Sequence, residues 1–167
     1  MNKLLDFSSN AWINVLKVLI VLLGLPIVGL GSMFMLEVLT FAETLGSPLV
    51  PFKPIFLALL GLTMLLFLLI VYRGIALLSR IQKGDIYSSH SVRHLHLASV
   101  YSGLISGIYV LFLPVFYSVA DRDDAPGFMV LGLFFIVLSL AFALFLFVIK
   151  RLLVQAISLK EENDLVV

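Results

Sequence analysis

The sequence predicts an all-α integral membrane protein, a four-helix transmembrane bundle in a single domain that covers residues 1–167. Hydrophobic residues make up 62% of the chain and charged residues 13%, whereas soluble domains average about 45–50% and about 25%. Four apolar stretches are each long enough, at about 1.5 Å per residue, to cross a hydrocarbon core about 30 Å thick. Each is expected to be helical, because a spanning segment must satisfy its own backbone hydrogen bonds. This composition excludes a separate soluble enzyme domain.

The predicted spans follow one another with short connections. The first apolar stretch is longer than the hydrophobic part of a cleaved signal peptide, so it is expected to be retained as a helix. The sequence places the spans at about residues 12–36, 54–78, 96–119 and 127–149, a loop between the second and third at 79–95, and a tail at 150–167.

The distribution of basic residues predicts the orientation in the membrane. Of the eleven lysines and arginines, nine lie near the N-terminus, around the loop 79–95 or in the tail, and the two others are Lys53 and Arg122. The positive-inside rule therefore places the loop and both termini in the cytoplasm. The formal net charge is only +1, so direct binding to nucleic acid is not expected.

The second helix is predicted to project beyond the membrane. No helix breaker interrupts the chain between Pro54 and Lys83, and Gly84 is a natural helix stop. A helix of this length measures about 45 Å, which exceeds the hydrocarbon core by several turns. Ser88 or Ser89 is the expected N-cap of the third helix, so the second and third helices should form a hairpin in the cytoplasm.

One basic residue lies inside the first predicted span. Lys17 at the bilayer centre would cost about 2.5–3.5 kcal/mol and would suggest an ion path. It lies only about one and a half turns after Ala11, so its stem can extend to the cytoplasmic interface, which is the favoured interpretation. No Asp or Glu lies inside a span to pair with Lys17; Glu37 falls at the outer end of the first helix.

The three histidines lie within seven residues of one another. His90 and His94 share a helix face at i and i+4, the spacing at which two imidazoles bind one metal ion. The nearest carboxylate on that side is Asp85 in the preceding turn, and two histidines alone make a poor site. We interpret His90, His94 and His96 as an interfacial basic helix whose charge responds to pH, and no metal or other cofactor is expected.

Small residues in the third helix predict close helix packing. Gly103 and Gly107 form a small-xxx-small pattern, reinforced by Ser102 and Ser106. Such patterns allow helices in lipid to approach closely. Two contacts fit the pattern, packing within the bundle and a face for homo-oligomerisation, and the spacing does not distinguish them.

The tail combines an apolar stripe with a charged end. Leu152, Leu153, Ala156 and Ile157 occupy one side of a continuing helix and precede an acidic cluster. This segment fits docking on the basic loop of the same chain or on a cytoplasmic partner. The candidate partner-binding residues of the loop and tail are Arg80, Lys83, Tyr87, Arg93, Lys160, Glu161, Glu162, Asn163 and Asp164.

The loop and the tail also carry a family resemblance. The tail Ser158-Leu-Lys-Glu-Glu-Asn-Asp-Leu165 resembles the Leu-Lys-Glu-Glu-Asn-Asp-Leu-Thr ending of the bacterial domain-of-unknown-function family 2975. The loop Lys83-Gly-Asp-Ile-Tyr-Ser88, followed by Ser-Val-Arg-His-Leu, is similar to that family's pattern of Gly, an aromatic, Ser and a helix carrying Arg-Leu. Tyr87 stands where the family usually has Phe, and Val166 where it usually has Thr.

The resemblance implies a bacterial inner-membrane protein without enzymatic activity. Many members are encoded beside a small helix-turn-helix regulator of the Cro/repressor type, which implies that the membrane protein binds or sequesters that regulator. The competing hypothesis, taken from the residues, is a small transporter, channel or exporter with a cavity near Pro26, Pro114 and Lys17. A membrane-embedded enzyme has little support, because no acid–base pair lies within a span.

Overall fold

The chain folds into four long helices, as expected from its hydropathy. The computed structural model describes the backbone of residues 2–164 and the side chains of residues 11–162. Over this part there is no β-strand, and each helix is long and apolar enough to cross a membrane. The elements are α1 (Asn2–Thr44), a 3-10 turn (Val50–Phe52), α2 (Lys53–Gln82), α3 (Ser89–Arg122) and α4 (Gly127–Asp164).

The helices extend beyond the predicted spans. Hydropathy marks only the part of a helix that suits lipid, and a helix continues until a residue stops it. Thus α1 continues to Thr44, and α4 continues through the tail to Asp164. Pro26 and Pro114 lie inside α1 and α3 without ending either helix.

The predicted signals at both ends of the α2–α3 turn are confirmed. Gly84 has a φ of +73°, a left-handed conformation that glycine adopts without a steric penalty. Its amide donates to the carbonyl of Ile81, and the Asp85 amide donates to that of Arg80, a Schellman ending. The side chain of Ser88 caps α3 by accepting a hydrogen bond from the amide of Ser91.

α3 is the central helix of the bundle. It packs along α4 and α2, while α1 packs against α2 and over a shorter stretch against α3. In the most apolar 18-residue segment of α3, 44% of the residues are buried, compared with 11–17% in the corresponding segments of the other three helices. The outer faces of α1, α2 and α4 are therefore left to lipid.

The hydrophobic core lies at one end of the bundle, which we call the connection end (residues 34–56 and 109–135). Phe112, Phe116 and Val119 of α3 are almost completely buried there, together with Met35 of α1. A Cβ atom added to Gly132 of α4 would lie 2.9 Å from the ring of Phe116. The two helices thus approach each other as closely as their side chains allow.

Towards the opposite end, the hairpin end (residues 11–24, 70–102 and 142–162), α1 and α4 move apart, while α3 stays in contact with α2 and α4. α1 and α4 meet near the connection end, where Phe34 lies 6.2 Å from Phe135 and Phe41 lies 6.1 Å from Phe128, measured between ring centroids. Towards the hairpin end a cavity opens between them.

Serine hydroxyls, rather than the glycines, line the contact between α3 and α4. Ser99, Ser102 and Ser106 donate to the carbonyl oxygens of Ala143, Ser139 and Ile136, at 2.8, 2.9 and 3.1 Å. A Cβ atom added to Gly103 or Gly107 would meet no atom within 4 Å. Gly103 and Gly107 therefore face away from the helices of this chain, and their role in self-association remains a prediction.

Candidate functional site at the hairpin end

The hairpin turn is held by contacts among its own residues. Arg80 Nη1 donates to Asp85 Oδ2 at 2.8 Å. The hydroxyl groups of Ser88 and Ser91 both donate to the backbone carbonyl of Asp85, at 3.1 and 3.3 Å. One of the predicted partner-binding cations, Arg80, is thereby paired within the turn.

The tail helix reaches the hairpin, but through a contact that the sequence did not indicate. Lys160 Nζ lies 5.7 Å from the centroid of the Tyr87 ring, within the range of a cation–π interaction. Tyr87 remains 52% exposed. Glu161 and Glu162 form no ion pair with any side chain described, and the side chains of Asn163 and Asp164 lie outside the described residues.

Between α2 and α3 the structure places an arginine against a histidine. Arg73 Nη1 lies 3.4 Å from Nδ1 of His94. A guanidinium group can only donate, so Nδ1 accepts this long hydrogen bond and the ring proton is on Nε2. The positive charges of Arg80 and Arg93 also act on the His94 ring.

Arg73 has a further donor without a partner. Its Nε atom is buried and forms no hydrogen bond within the described chain. A buried donor left unsatisfied costs about 1–3 kcal/mol. In the sequence Arg73 is only one more basic residue near the loop, because its position relative to other residues does not show that its side chain inserts between two helices.

His90 and His94 have the spacing of a metal-binding pair, although no metal is expected from the sequence. Among the described residues, no three His, Cys, Asp or Glu side chains come together. Arg73 also places a positive charge beside His94, which disfavours a second cation there.

Lys17 lies at the hairpin end of the bundle rather than halfway along it. Its Nζ atom donates to Oε1 of Gln82 at 2.8 Å, and Gln82 is the last residue of α2. This position agrees with the interfacial interpretation of Lys17, since the end of α2 is where the chain turns.

A cavity of about 410 Å³ lies between the four helices, on the hairpin side of the Phe34–Phe135 contact. Its polar lining groups are mostly occupied: the hydroxyl groups of Ser32, Thr63 and Ser102 each donate to a backbone carbonyl. The cavity therefore presents carbon atoms to a ligand. Its lining comes from Ile27, Val28, Gly31 and Ser32 of α1, Leu60, Thr63, Met64, Phe67 and Ile70 of α2, Ser102, Ile105 and Tyr109 of α3, and Phe135, Leu138, Ser139 and Phe142 of α4.

The geometry of this end suits binding. The cavity lining contains no carboxylate, lysine, arginine or histidine. The basic cluster begins one turn farther along α2, at Arg73, and its members are arginines and histidines. An apolar chamber with cations at its end can hold a molecule that has an apolar part and an anionic part.

Comparison with known proteins agrees with a membrane protein of this kind. The family described as "Protein of unknown function (DUF2975)" matches residues 38–167. The "Uncharacterized membrane protein YoaS" of Bacillus subtilis (strain 168) is 37% identical over 152 residues, which cover 91% of this chain and 95% of YoaS. No solved structure matches the chain. The match over most of the sequence and the four apolar helices together show that this membrane protein belongs to the DUF2975 family.

Proposed function

We propose that this protein is a non-enzymatic modulator in the bacterial inner membrane that binds or sequesters a helix-turn-helix transcription regulator. The proposal starts from the family resemblance, which implies a co-encoded regulator. The binding surface would be the loop 79–95 together with the tail from residue 150. We call this surface the loop-and-tail surface.

The length of the helices at the hairpin end supports the proposal. α4 has 38 residues, about 57 Å of helix, which is nearly twice the thickness of a hydrocarbon core. Its last turns therefore extend past the membrane beside the α2–α3 turn, where Lys160 contacts Tyr87.

The observation that carries the proposal is apolar exposure on these extensions. Tyr87 is 52% exposed and Leu159 is 61% exposed. Within a span such exposure means contact with lipid, but beyond the membrane it leaves an aromatic ring and a leucine in water. Aromatic and apolar side chains surrounded by charges are typical of protein interfaces.

The proposal requires the loop-and-tail surface to face the cytoplasm. The chain contains no cysteine, so single cysteines can be labelled without background. In intact cells, a membrane-impermeant maleimide is expected to label Asp123→Cys, at the connection end, and to label Ser89→Cys only after the cells are opened. Labelling of Ser89→Cys in intact cells would contradict the proposed orientation and the regulator-binding role.

Binding is tested with the regulator encoded beside the gene. Tyr87→Ala is expected to weaken co-purification of the full-length protein with that regulator at least tenfold, as for an aromatic interface anchor. The matched control is Tyr117→Ala, because Tyr117 is similarly exposed, at 60%, but lies at the opposite end of α3.

Deletion of residues 160–167 provides a second test in cells. It should alter expression of the regulator's targets while membrane insertion is unchanged. Absence of a helix-turn-helix gene beside this one, equal binding by both tyrosine variants, or unchanged target expression would each count against the proposal.

A second candidate function is the export or transport of a lipophilic compound, and the 410 Å³ cavity favours it. Lys17 contacts Gln82 at the hairpin end of the bundle. Loss of a transport or resistance phenotype in Lys17→Ala would support this function. A variant with the wild-type phenotype would leave Lys17 as an interfacial anchor.

A further inference from the structure

We propose that the cavity and Arg73 together form a binding site for one anionic phospholipid. In this site an acyl chain fills the cavity between the four helices, and the phosphate group binds Arg73 and His94 at the hairpin end. The inference does not depend on regulator binding.

The first argument is the unsatisfied Arg73 side chain. Arg73 follows the apolar run of α2, and its guanidinium lies against His94 with a buried Nε that has no acceptor in the described chain. Neither of the two ion pairs among described residues includes Arg73. A phosphate group at the Nη atoms supplies the missing negative charge, and guanidinium–phosphate hydrogen bonds are among the strongest in proteins.

The neighbouring charges favour the same ligand. His94 retains a free Nε2–H donor, because Nδ1 already accepts from Arg73. The positive charges of Arg93 and Arg80 also act on this ring, and that of Arg80 is shared with Asp85. Basic clusters between helices at the cytoplasmic face of a membrane bind anionic headgroups by this arrangement.

The second argument is the relation between this cluster and the cavity. Ile70 lines the cavity, and Arg73 follows three residues later, about 4.5 Å along α2. On α3, His94 lies eleven residues before the lining residue Ile105; eleven residues are close to three whole turns, so the two share a helix face. A headgroup at Arg73 therefore has its acyl chains beside the entrance of the cavity.

The chemistry of the cavity indicates an alkyl chain rather than a polar solute. Its serine and threonine hydroxyl groups donate to backbone carbonyls, which leaves the Tyr109 phenol as its one other hydroxyl group. Its volume of about 410 Å³ falls within the range of about 300–1,000 Å³ of ligand pockets. Lipid is also the solvent that surrounds this bundle, so an acyl chain enters without crossing water.

The experiment measures lipid binding by native mass spectrometry of the full-length protein released from detergent. Phosphatidylglycerol is the anionic probe, phosphatidylcholine the zwitterionic probe, and inorganic phosphate the probe without acyl chains. One phosphatidylglycerol per chain is expected to remain bound, at about tenfold higher affinity than phosphatidylcholine, a ratio typical of one charge-assisted contact.

Two variants test the two halves of the site. Arg73→Gln should reduce phosphatidylglycerol affinity about tenfold and leave phosphatidylcholine unchanged, whereas the control Arg151→Gln, at an exposed position of α4, should bind as wild type. Gly31→Leu should weaken both lipids, because Gly31 lines the cavity and has open space around its Cβ position. The control for this variant is Gly61→Leu, at an exposed position of α2 with the same open space.

Three outcomes would overturn the inference. The first is equal binding of the two lipids by the wild-type protein, and the second is equal loss in Arg73→Gln and Arg151→Gln. The third is binding of inorganic phosphate as tight as that of phosphatidylglycerol, with both unaffected by Gly31→Leu, which would assign the cluster to a free anion. Because Arg73→Gln can also perturb the α2–α3 contact, Gly31→Leu keeps the inference falsifiable if that variant fails to fold.

Discussion

The two ends of the bundle differ in how they are packed and in what their polar residues do. At the connection end, Phe116 and Val119 are completely buried, and the Ser47 and Ser118 hydroxyl groups pair at 2.7 Å. Between the two ends a cavity lies among the helices, and at the hairpin end Arg73 keeps a buried donor without a partner in the described chain.

The charged residues follow the same division. At the connection end, Lys53 pairs with Glu43, and Arg122 donates to the carbonyl of Leu45 at 2.9 Å. Those contacts close the connections between helices. At the hairpin end, the charges around His94 are positive. Among these cations, only Arg80 forms an ion pair with a carboxylate of the described chain, that of Asp85.

This difference suggests that the connection end stabilises the fold and that the hairpin end is available to bind a ligand. A close-packed end keeps the four helices together because every side chain there has neighbours on all sides. An open end with unsatisfied groups contributes less to stability and is free to bind a ligand. The following predictions test that separation, from the largest expected effect to the smallest.

Truncation of the most buried ring should produce the largest effect. Phe116→Ala is expected to lower the free energy of unfolding by about 3 kcal/mol, because it leaves a cavity in the core. Phe134→Ala is the matched control, since Phe134 is 55% exposed on α4. Unfolding of the purified protein in mixed micelles measures both variants, and equal losses would remove the distinction between core and lipid-facing phenylalanines.

Addition of a single methyl group should have different effects at the connection end and at the cavity. Gly132→Ala places a Cβ atom 2.9 Å from the buried Phe116 ring and should destabilise the fold by about 1–3 kcal/mol. Gly31→Ala, with no atom within 4 Å of the new Cβ, should be neutral or stabilising, because alanine favours helix. The apparent Tm in detergent reports both changes; a lower Tm for Gly31→Ala would show that the cavity is not open space.

Loss of the α3 cap should act locally at the hairpin end. Ser88→Ala removes the acceptor for the Ser91 amide and should cost about 1 kcal/mol. Hydrogen exchange is expected to accelerate at the first turn of α3, while amides near Phe116 keep their protection. Faster exchange at both ends would mean that the bundle opens as one unit.

The smallest effect on stability is expected from a change in the contact between α3 and α4. Ser102→Ala removes the hydrogen bond to the Ser139 carbonyl, and such bonds between membrane helices contribute on average about 0.6 kcal/mol. Gly103→Ala, one residue away and in open space, is the control. A larger loss in Gly103→Ala than in Ser102→Ala would show that the glycine face is a contact between copies of the chain.

Local patterns predicted the hairpin turn well. Gly84 and Ser88 act through backbone conformation and through a cap only a few residues away, so sequence alone was sufficient to locate them. The same reasoning identified the continuing tail helix, because no breaker follows Lys150. The sequence was less informative about the serines. Ser102 and Gly103 are adjacent in α3, so their positions alone did not show which of them faces α4.

The candidate site shows more clearly which contacts could not be predicted from the sequence. Arg73 and His94 are 21 residues apart and belong to different helices, so neither their contact nor the unpartnered Nε could be read from spacing. The contact of Lys160 with Tyr87 joins residues on the tail and on the turn. The charges alone had suggested that the acidic cluster of the tail would contact the basic loop, because charges can be compared in a sequence but distances cannot.

Composition and hydropathy by themselves determined the class of protein and the number of helices, and the stop and cap residues of the α2–α3 turn determined two of the helix ends. They could do so because transfer into lipid and helix capping depend on a residue and its immediate neighbours. The tertiary structure decided which end is closed and which is open, and which side of α3 faces α4. Those properties arise from contacts between residues far apart in the chain, and their packing cannot be inferred from either residue alone.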